Sequence, residues 1–167
     1  MRVDELFYIR YGHGLSLNRL EQVEAPNGVN YVSRGLSNNG VSARVQPPPN
    51  AVLGQPGELT VALNGQVGAL GTFLQPDAFV TGYHVAILSS KESMTPREKL
   101  WWARCIWQNH FKYGFGRQAN RTLGSLELPS ELPEWVESVN VPVIQELTKP
   151  IQPAKQLSGR ESGRGTH

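Results

Sequence analysis

Glycine and proline cut this chain into short segments, and that spacing limits its fold more than any other feature. There are 17 glycines and 12 prolines among 167 residues. Turns are therefore frequent, and most stretches between them suit a strand better than a helix. A helical bundle would also want more Ala, Glu and Lys than this chain holds. The expected class is α+β, mostly β, with a curved antiparallel or mixed sheet core.

The segments read as strands in turn. Leu6–Tyr11 alternates, with Phe7, Ile9 and Tyr11 on one side. A short helical turn is expected at Ser16–Leu20. Val29–Ser33 and Val41–Val45 are β-rich and flank Ser37-Asn38-Asn39-Gly40, whose Asn and Gly tolerate the positive φ of a type I′ turn. Glu58–Leu63 is closed by Asn64-Gly65, a strong tight-hairpin signal, so that Val67–Phe73 should return as a kinked strand. Tyr83–Leu88 is the last apolar strand. The expected core includes Phe7, Ile9, Tyr31, Val61, Phe73, Phe79, Val85 and Trp107.

One helix is clear, over about 96–112. Thr95-Pro96-Arg97-Glu98 is a capping box with proline at the first helical position. At 100° per residue, Leu100, Ala103, Ile106, Trp107, His110 and Phe111 share an arc of roughly 140°. Trp101 and Trp102 fall outside it, so one of them should meet a second surface. Prolines at 129, 133, 142, 150 and 153 then break any long helix. The expected organisation is a single domain over 1–145 and a flexible tail over 146–167.

The chemistry of an enzyme is hard to find. No Gly-rich phosphate loop is present. His13, His84, His110 and His167 lack metal-ligand spacing, and His110 on the apolar stripe reads as a core histidine. Cys105, the single cysteine, excludes an intrachain disulfide and lies mid-helix, away from the helix N-terminus that would activate a thiol. The paired acids look solvated, with no pattern of a metal-dependent nuclease. Neither a catalytic residue, a metal site nor a cofactor is expected. The acidic N-terminus does not suit a signal peptide, and no apolar run is long enough to span a membrane, so the expected location is the cytoplasm.

Charge is more informative. The net charge is only +2. Residues 96–128, however, hold six basic residues against two acidic, whereas 48–95 hold one against three. Within the basic stretch, Lys112 to Arg121 interleaves aromatics, glycines, Arg117, Gln118, Asn120 and Arg121. Guanidinium and amide groups of this kind grip phosphates and read base edges, although a solvated Gly-rich loop has the same composition.

The order of motifs resembles a known family. Leu6-Phe7-Tyr8-Ile9-Arg10-Tyr11-Gly12 opens it, followed by Val29-Asn30-Tyr31-Val32-Ser33-Arg34 and Asn38-Asn39-Gly40-Val41. Then come Gly57-Glu58-Leu59-Thr60-Val61-Ala62, Phe73-Leu74-Gln75-Pro76 and Phe79-Val80-Thr81-Gly82. Tyr113-Gly114-Phe115-Gly116-Arg117, Leu126-Glu127-Leu128-Pro129 and Pro133-Glu134-Trp135 close it. Together they resemble the target recognition domain of type I restriction-modification specificity subunits, in the form found in type IIB-like restriction enzymes. A full specificity subunit of that family carries two such domains and long helices between them. Here the motifs of one are found, and the methyltransferase Asn-Pro-Pro-Tyr motif is absent from the sequence.

The resemblance implies a module that binds double-stranded DNA by sequence. Its loops would carry Arg34, Asn38 and Asn39, then Asn64 and Gln66, then Lys112, Arg117, Gln118, Asn120 and Arg121. It would act with a DNA methyltransferase or restriction subunit, or with a second copy of itself as a dimer. The alternative is an interaction protein that mimics a specificity subunit and modulates a restriction complex.

Overall fold

The computed structural model describes residues 1–65, 68–113 and 118–140. A short helical turn, α1 (Val3–Leu6), leads into strand β1 (Phe7–Tyr11). The next strands are β2 (Val29–Val32), β3 (Val41–Val45), β4 (Leu59–Ala62), β5 (Thr72–Leu74), β6 (Phe79–Thr81) and β7 (Val85–Ser90). The main helix, α2, covers Pro96–Trp107.

The strands form two sheets. One is four-stranded and antiparallel, in the order β1-β7-β4-β5. The other is three-stranded and mixed, in the order β3-β2-β6, with β2 antiparallel to β3 and parallel to β6. The expectation of one curved core sheet is thus met by two sheets packed together. Strand β6 was hidden from the sequence reading, because three residues between a proline turn and a glycine carry almost no periodicity.

Burial explains the layers. Every residue of β4 is buried, and so are the first four of β7, as expected for central strands covered on both faces. Ala86 and Leu88 of β7 face a core that includes Leu59, Val61, Trp102, Ala103, Ile106 and Leu123. Val85 and Ile87 face the opposite way, onto Val32 and Phe79 of the second sheet. Beyond that sheet, Tyr31, Val45 and Val80 are covered by Leu15, Leu17, Leu20 and Leu53. The order of layers is helix, sheet, sheet, loop.

The first strand departs from its pattern. Phe7 is buried, but Ile9 and Tyr11 are exposed. Strand β1 lies at the edge of its sheet, so its far end has no neighbour to cover it. The Asn64-Gly65 signal also misleads. The β4–β5 ladder closes where Leu70 N–H donates to Ala62 O at 2.8 Å, so the connection is a long loop and the returning strand begins only at Thr72.

Helix α2 starts as expected. Thr95 Oγ1 accepts from Glu98 N–H, the Glu98 carboxylate accepts from Thr95 N–H, and Pro96 takes the first helical position. It ends earlier, at Trp107, and a separate 3-10 turn spans His110–Tyr113. The buried stripe is Trp102, Ala103, Cys105 and Ile106. His110 is therefore no core histidine. It is exposed, stacks on Trp107 with ring centroids 4.3 Å apart, and makes a 2.7 Å hydrogen bond with Trp107 O. Trp107 and Phe73 are half-buried and Phe111 is exposed. Trp101 meets a second surface, the edge of Trp135, at 5.4 Å.

The N-terminal segment is tied to residues 126–128. Leu128 N–H donates to Met1 O and Val3 N–H to Leu126 O, at 2.7 and 3.2 Å. The tail over 146–167 lies outside the described residues. Among the described residues no helix is long and apolar enough to cross a membrane.

Candidate nucleic-acid interface

The topology gathers the connecting loops at one end. Strands β1 and β4 end there, and their antiparallel partners β5 and β7 begin there. Strand β6 leads into β7 through Gly82-Tyr83-His84, so its C-terminal end lies there too. Strand β2 runs parallel to β6 and delivers Ser33 and Arg34 to the same end. The loops 12–16, 33–36, 82–84 and 118–122, with 63–65 and 68–71, thus share one rim.

Side chains confirm the convergence. The Arg34 guanidinium donates to Asn64 Oδ1, joining the second loop to the third. Ala119 N–H donates to Leu63 O at 2.8 Å, which seats Gln118 and Asn120 beside Asn64. Asn120 Nδ2 donates to Gln118 Oε1 at 3.2 Å, leaving the Gln118 NH2 group and Asn120 Oδ1 for another partner. Arg121 is exposed next to them. Gly68 permits the approach of the loops, since a β-carbon there would stand 2.6 Å from Arg34 O.

Other expected contact residues are placed differently. Asn38 and Asn39 both take positive φ, at 52° and 56°, as the turn chemistry predicts. Asn38 Nδ2 donates to Val41 O at 3.2 Å, so its amide caps its own turn. Lys112 is exposed on the turn after α2, next to Tyr113, whose hydroxyl lies 2.8 Å from Thr122 Oγ1. Gln66 and Arg117 lie outside the described residues.

The rim is free of acids. The 14 Asp and Glu residues include none within 12–16, 33–40, 63–71, 82–84 or 99–126. Asp4, Glu5, Glu58, Asp77, Glu92 and Glu98 precede or follow the strands at the opposite end. A nearly neutral chain thus keeps its acids out of these loops, which carry Arg34, Arg121 and several amides.

Several residues that support this rim were missed in the sequence. Gln75 is fully buried, and its Nε2 donates to Asn39 O and to Thr60 Oγ1, both at 2.9 Å. Gln75 follows β5 at the end away from the rim, where its N–H donates to Glu58 O at 3.0 Å, so it draws the Asn38-Asn39 turn back along the β4–β5 edge. His13 ties three segments. Its N–H donates to Thr81 Oγ1 at 2.7 Å, and its Nδ1 accepts from Thr81 N–H at 3.1 Å. The ring proton therefore sits on Nε2, which donates to Val52 O at 2.6 Å. Tyr11 OH accepts from His84 N–H at 2.7 Å, and Leu63 N–H donates to His84 O at 2.8 Å. A buried glutamine inside a proline turn, and a histidine between two glycines, gave no periodic signal. A tyrosine and histidine counted into a strand gave none either.

At the opposite end Glu58 is the most perturbed acid. Burial works to raise its carboxyl. Hydrogen bonds from Arg10, from Ser89 and from Gln55 N–H overcome this, with the Arg10 charge added, and hold it at about 2. Arg10 grips it with both Nη atoms, at 2.5 and 2.8 Å. This is a structural clamp between β1, β4 and β7. Burial pushes the Cys105 thiol up, the reverse of what a nucleophile needs. Among the described residues, no three His, Cys, Asp or Glu side chains gather as a metal ion would require.

No protein-family model matches the chain, and no curated protein matches it in sequence. Solved structures do. The chain is similar to the HsdS subunit from Thermoanaerobacter tengcongensis, with TM-score 0.61 and 16% identity over 88% of this chain and 35% of that one. It is similar to the type I restriction-modification S subunit from M. genitalium, with TM-score 0.54 and 11% identity over 74% and 31%. A third likeness is to a chain of a type I R-M system studied for complex assembly and conformational transition, with TM-score 0.59 and 14% identity over 88% and 36%. The chain spans about a third of the length of the proteins it matches. What it shares with them is the fold, two sheets and one main helix.

Proposed function

We propose that this protein is a non-catalytic module that binds double-stranded DNA by sequence, in the manner of a restriction-modification target recognition domain. The observation that carries this reading is the acid-free rim, where Arg34, Asn64, Gln118, Asn120 and Arg121 converge from separate loops. Amides and arginines set together in this way suit base edges and phosphates. The fold shared with S subunits of type I systems supports the same reading. Arg34, Asn64, Gln118 and Asn120 are assigned to bases, and Lys112, Arg117 and Arg121 to phosphates. Asn38, Asn39 and Gln66 complete the surface, Asn38 and Asn39 by shaping its turn.

A net charge of +2 is low for a DNA binder that works alone. The proposal therefore includes a partner, either a methyltransferase or restriction subunit, or a second copy reading a split site.

Selection of duplexes from a random pool with purified protein tests the reading. Enrichment of a short defined sequence is expected. An unenriched pool, with retention of a restriction-system protein in a pull-down after DNase treatment, would favour the mimic of a specificity subunit instead.

A further inference from the structure

Two exposed tyrosines belong to the same rim and are included in no expected contact. Tyr11 and Tyr83 are 52% and 56% exposed. They come from different segments, the end of β1 and the turn before β7, yet they flank one point. A β-carbon on Gly14 would lie 3.8 Å from the Tyr11 ring and 3.7 Å from the Tyr83 ring. Gly14 has φ of +61° and puts no side chain between the two rings.

The turn that carries Tyr83 is held from several directions, and Tyr11 is one of its partners. His84 adopts φ of +57°, an uncommon conformation for a residue with a side chain. Its N–H donates to Tyr11 OH, and its carbonyl accepts from Leu63 N–H. Gly82 N–H donates to Val32 O at 2.9 Å. The same Leu63 accepts from Ala119 N–H, which joins the Tyr83-His84 turn to the segments that carry Asn64, Gln118 and Asn120. Exposed tyrosines on a fixed turn lose little conformational freedom when they bind.

We infer that Tyr11 and Tyr83 form a stacking platform for a DNA base, a role that rests on the duplex-binding reading proposed above. The hydroxyl of Tyr11 is engaged by His84, so what this residue offers is ring surface. A ring face finds little to stack on in an intact duplex, where base faces are covered. It gains a partner where a base step is opened or a base is unstacked. The amides and Arg34 would hold the flanking base edges while the rings cover the exposed face.

The test compares two 25-base-pair duplexes of one sequence, fully paired or with a single mismatch holding 2-aminopurine at its centre. The mismatched duplex is expected to bind about tenfold tighter, and the probe's fluorescence to change on binding as its neighbours change. Tyr83→Ala should remove that preference and the fluorescence change, with an unchanged thermal midpoint, because Tyr83 is exposed. Tyr83→Phe should keep both. Arg34→Ala should weaken both duplexes alike and keep the preference. If Tyr83→Ala binds both duplexes as the parent does while Arg34→Ala weakens them, the platform is wrong and the DNA-binding face stands. If the parent binds neither duplex, both readings fall.

Discussion

The guanidinium of Arg34 donates to Oδ1 of Asn64, joining loops thirty positions apart in the chain. Each residue was expected to contact DNA separately, yet here they act as a unit. Asn64 restrains the guanidinium, and its own amide nitrogen is left as a donor.

Arg34→Ala and Asn64→Ala should therefore be non-additive. Each alone should weaken duplex binding about tenfold, the scale of one good base contact. The double variant should fall short of the product, with a coupling of about 1 kcal/mol in a double-mutant cycle. Strict additivity would show that the two side chains work independently.

Gln75→Ala should destabilise the fold by about 1–3 kcal/mol, since it removes one buried and one half-buried hydrogen bond and leaves a cavity, while also removing the unpartnered Gln75 Oε1. Urea unfolding measures this. Thr60→Val removes one of those bonds and should cost about 1 kcal/mol. A loss below about 0.5 kcal/mol for Gln75→Ala would mean that the Asn38-Asn39 turn stands without its anchor.

Acid should weaken the Glu58 clamp in a defined window. The folded carboxyl is held at about 2, below its ordinary 4.5. Its contribution is therefore fully present above pH 4.5 and is lost as pH falls towards 2. After allowance for the exposed side of Arg10 it is about 2 kcal/mol. Urea midpoints for the parent and Glu58→Gln should differ at pH 7 and converge near pH 2. A difference that is constant with pH would contradict the assignment.

Gly12→Ala should be disruptive for its size. Its β-carbon would stand 2.6 Å from Val85 O and closer still to Thr81 Oγ1. A loss of about 1–3 kcal/mol is expected, with a drop in DNA affinity, because the same contact seats the His13 loop. Thermal unfolding and a binding titration check both. Parent-like stability would show that the strand ends can part without cost.

Much of this was legible in the sequence, and for physical reasons. The Thr95 capping box, the Asn38-Asn39-Gly40 turn and the strands over 29–32, 41–45 and 59–62 each rest on local chemistry. The end of α2 and the exposure of Ile9 and His110 were not legible, because tertiary neighbours decide them. Strand β6 is too short to show a period, and its parallel pairing with β2 depends on residues fifty positions away. The loop residues Arg34, Asn64, Gln118 and Asn120 were legible by type. Their meeting was not, since Leu63 and Ala119 are joined by a backbone bond that no side chain announces.

The most direct test of the account is the salt dependence of duplex binding. Parent protein, Arg34→Ala with Arg121→Ala, and Lys91→Ala with Arg97→Ala would be titrated against one duplex at several salt concentrations. The first pair lies on the acid-free rim and the second at the opposite end, where Arg97 meets Glu137. Each phosphate contact contributes about 0.9 to the slope of log K against log salt. The rim variant should lose about 1 from that slope, the share of the Arg121 phosphate contact, and bind more weakly, while the control keeps the parent's line. A rim variant that follows the parent's line, or a control that loses the slope instead, would contradict the claim that this rim meets DNA.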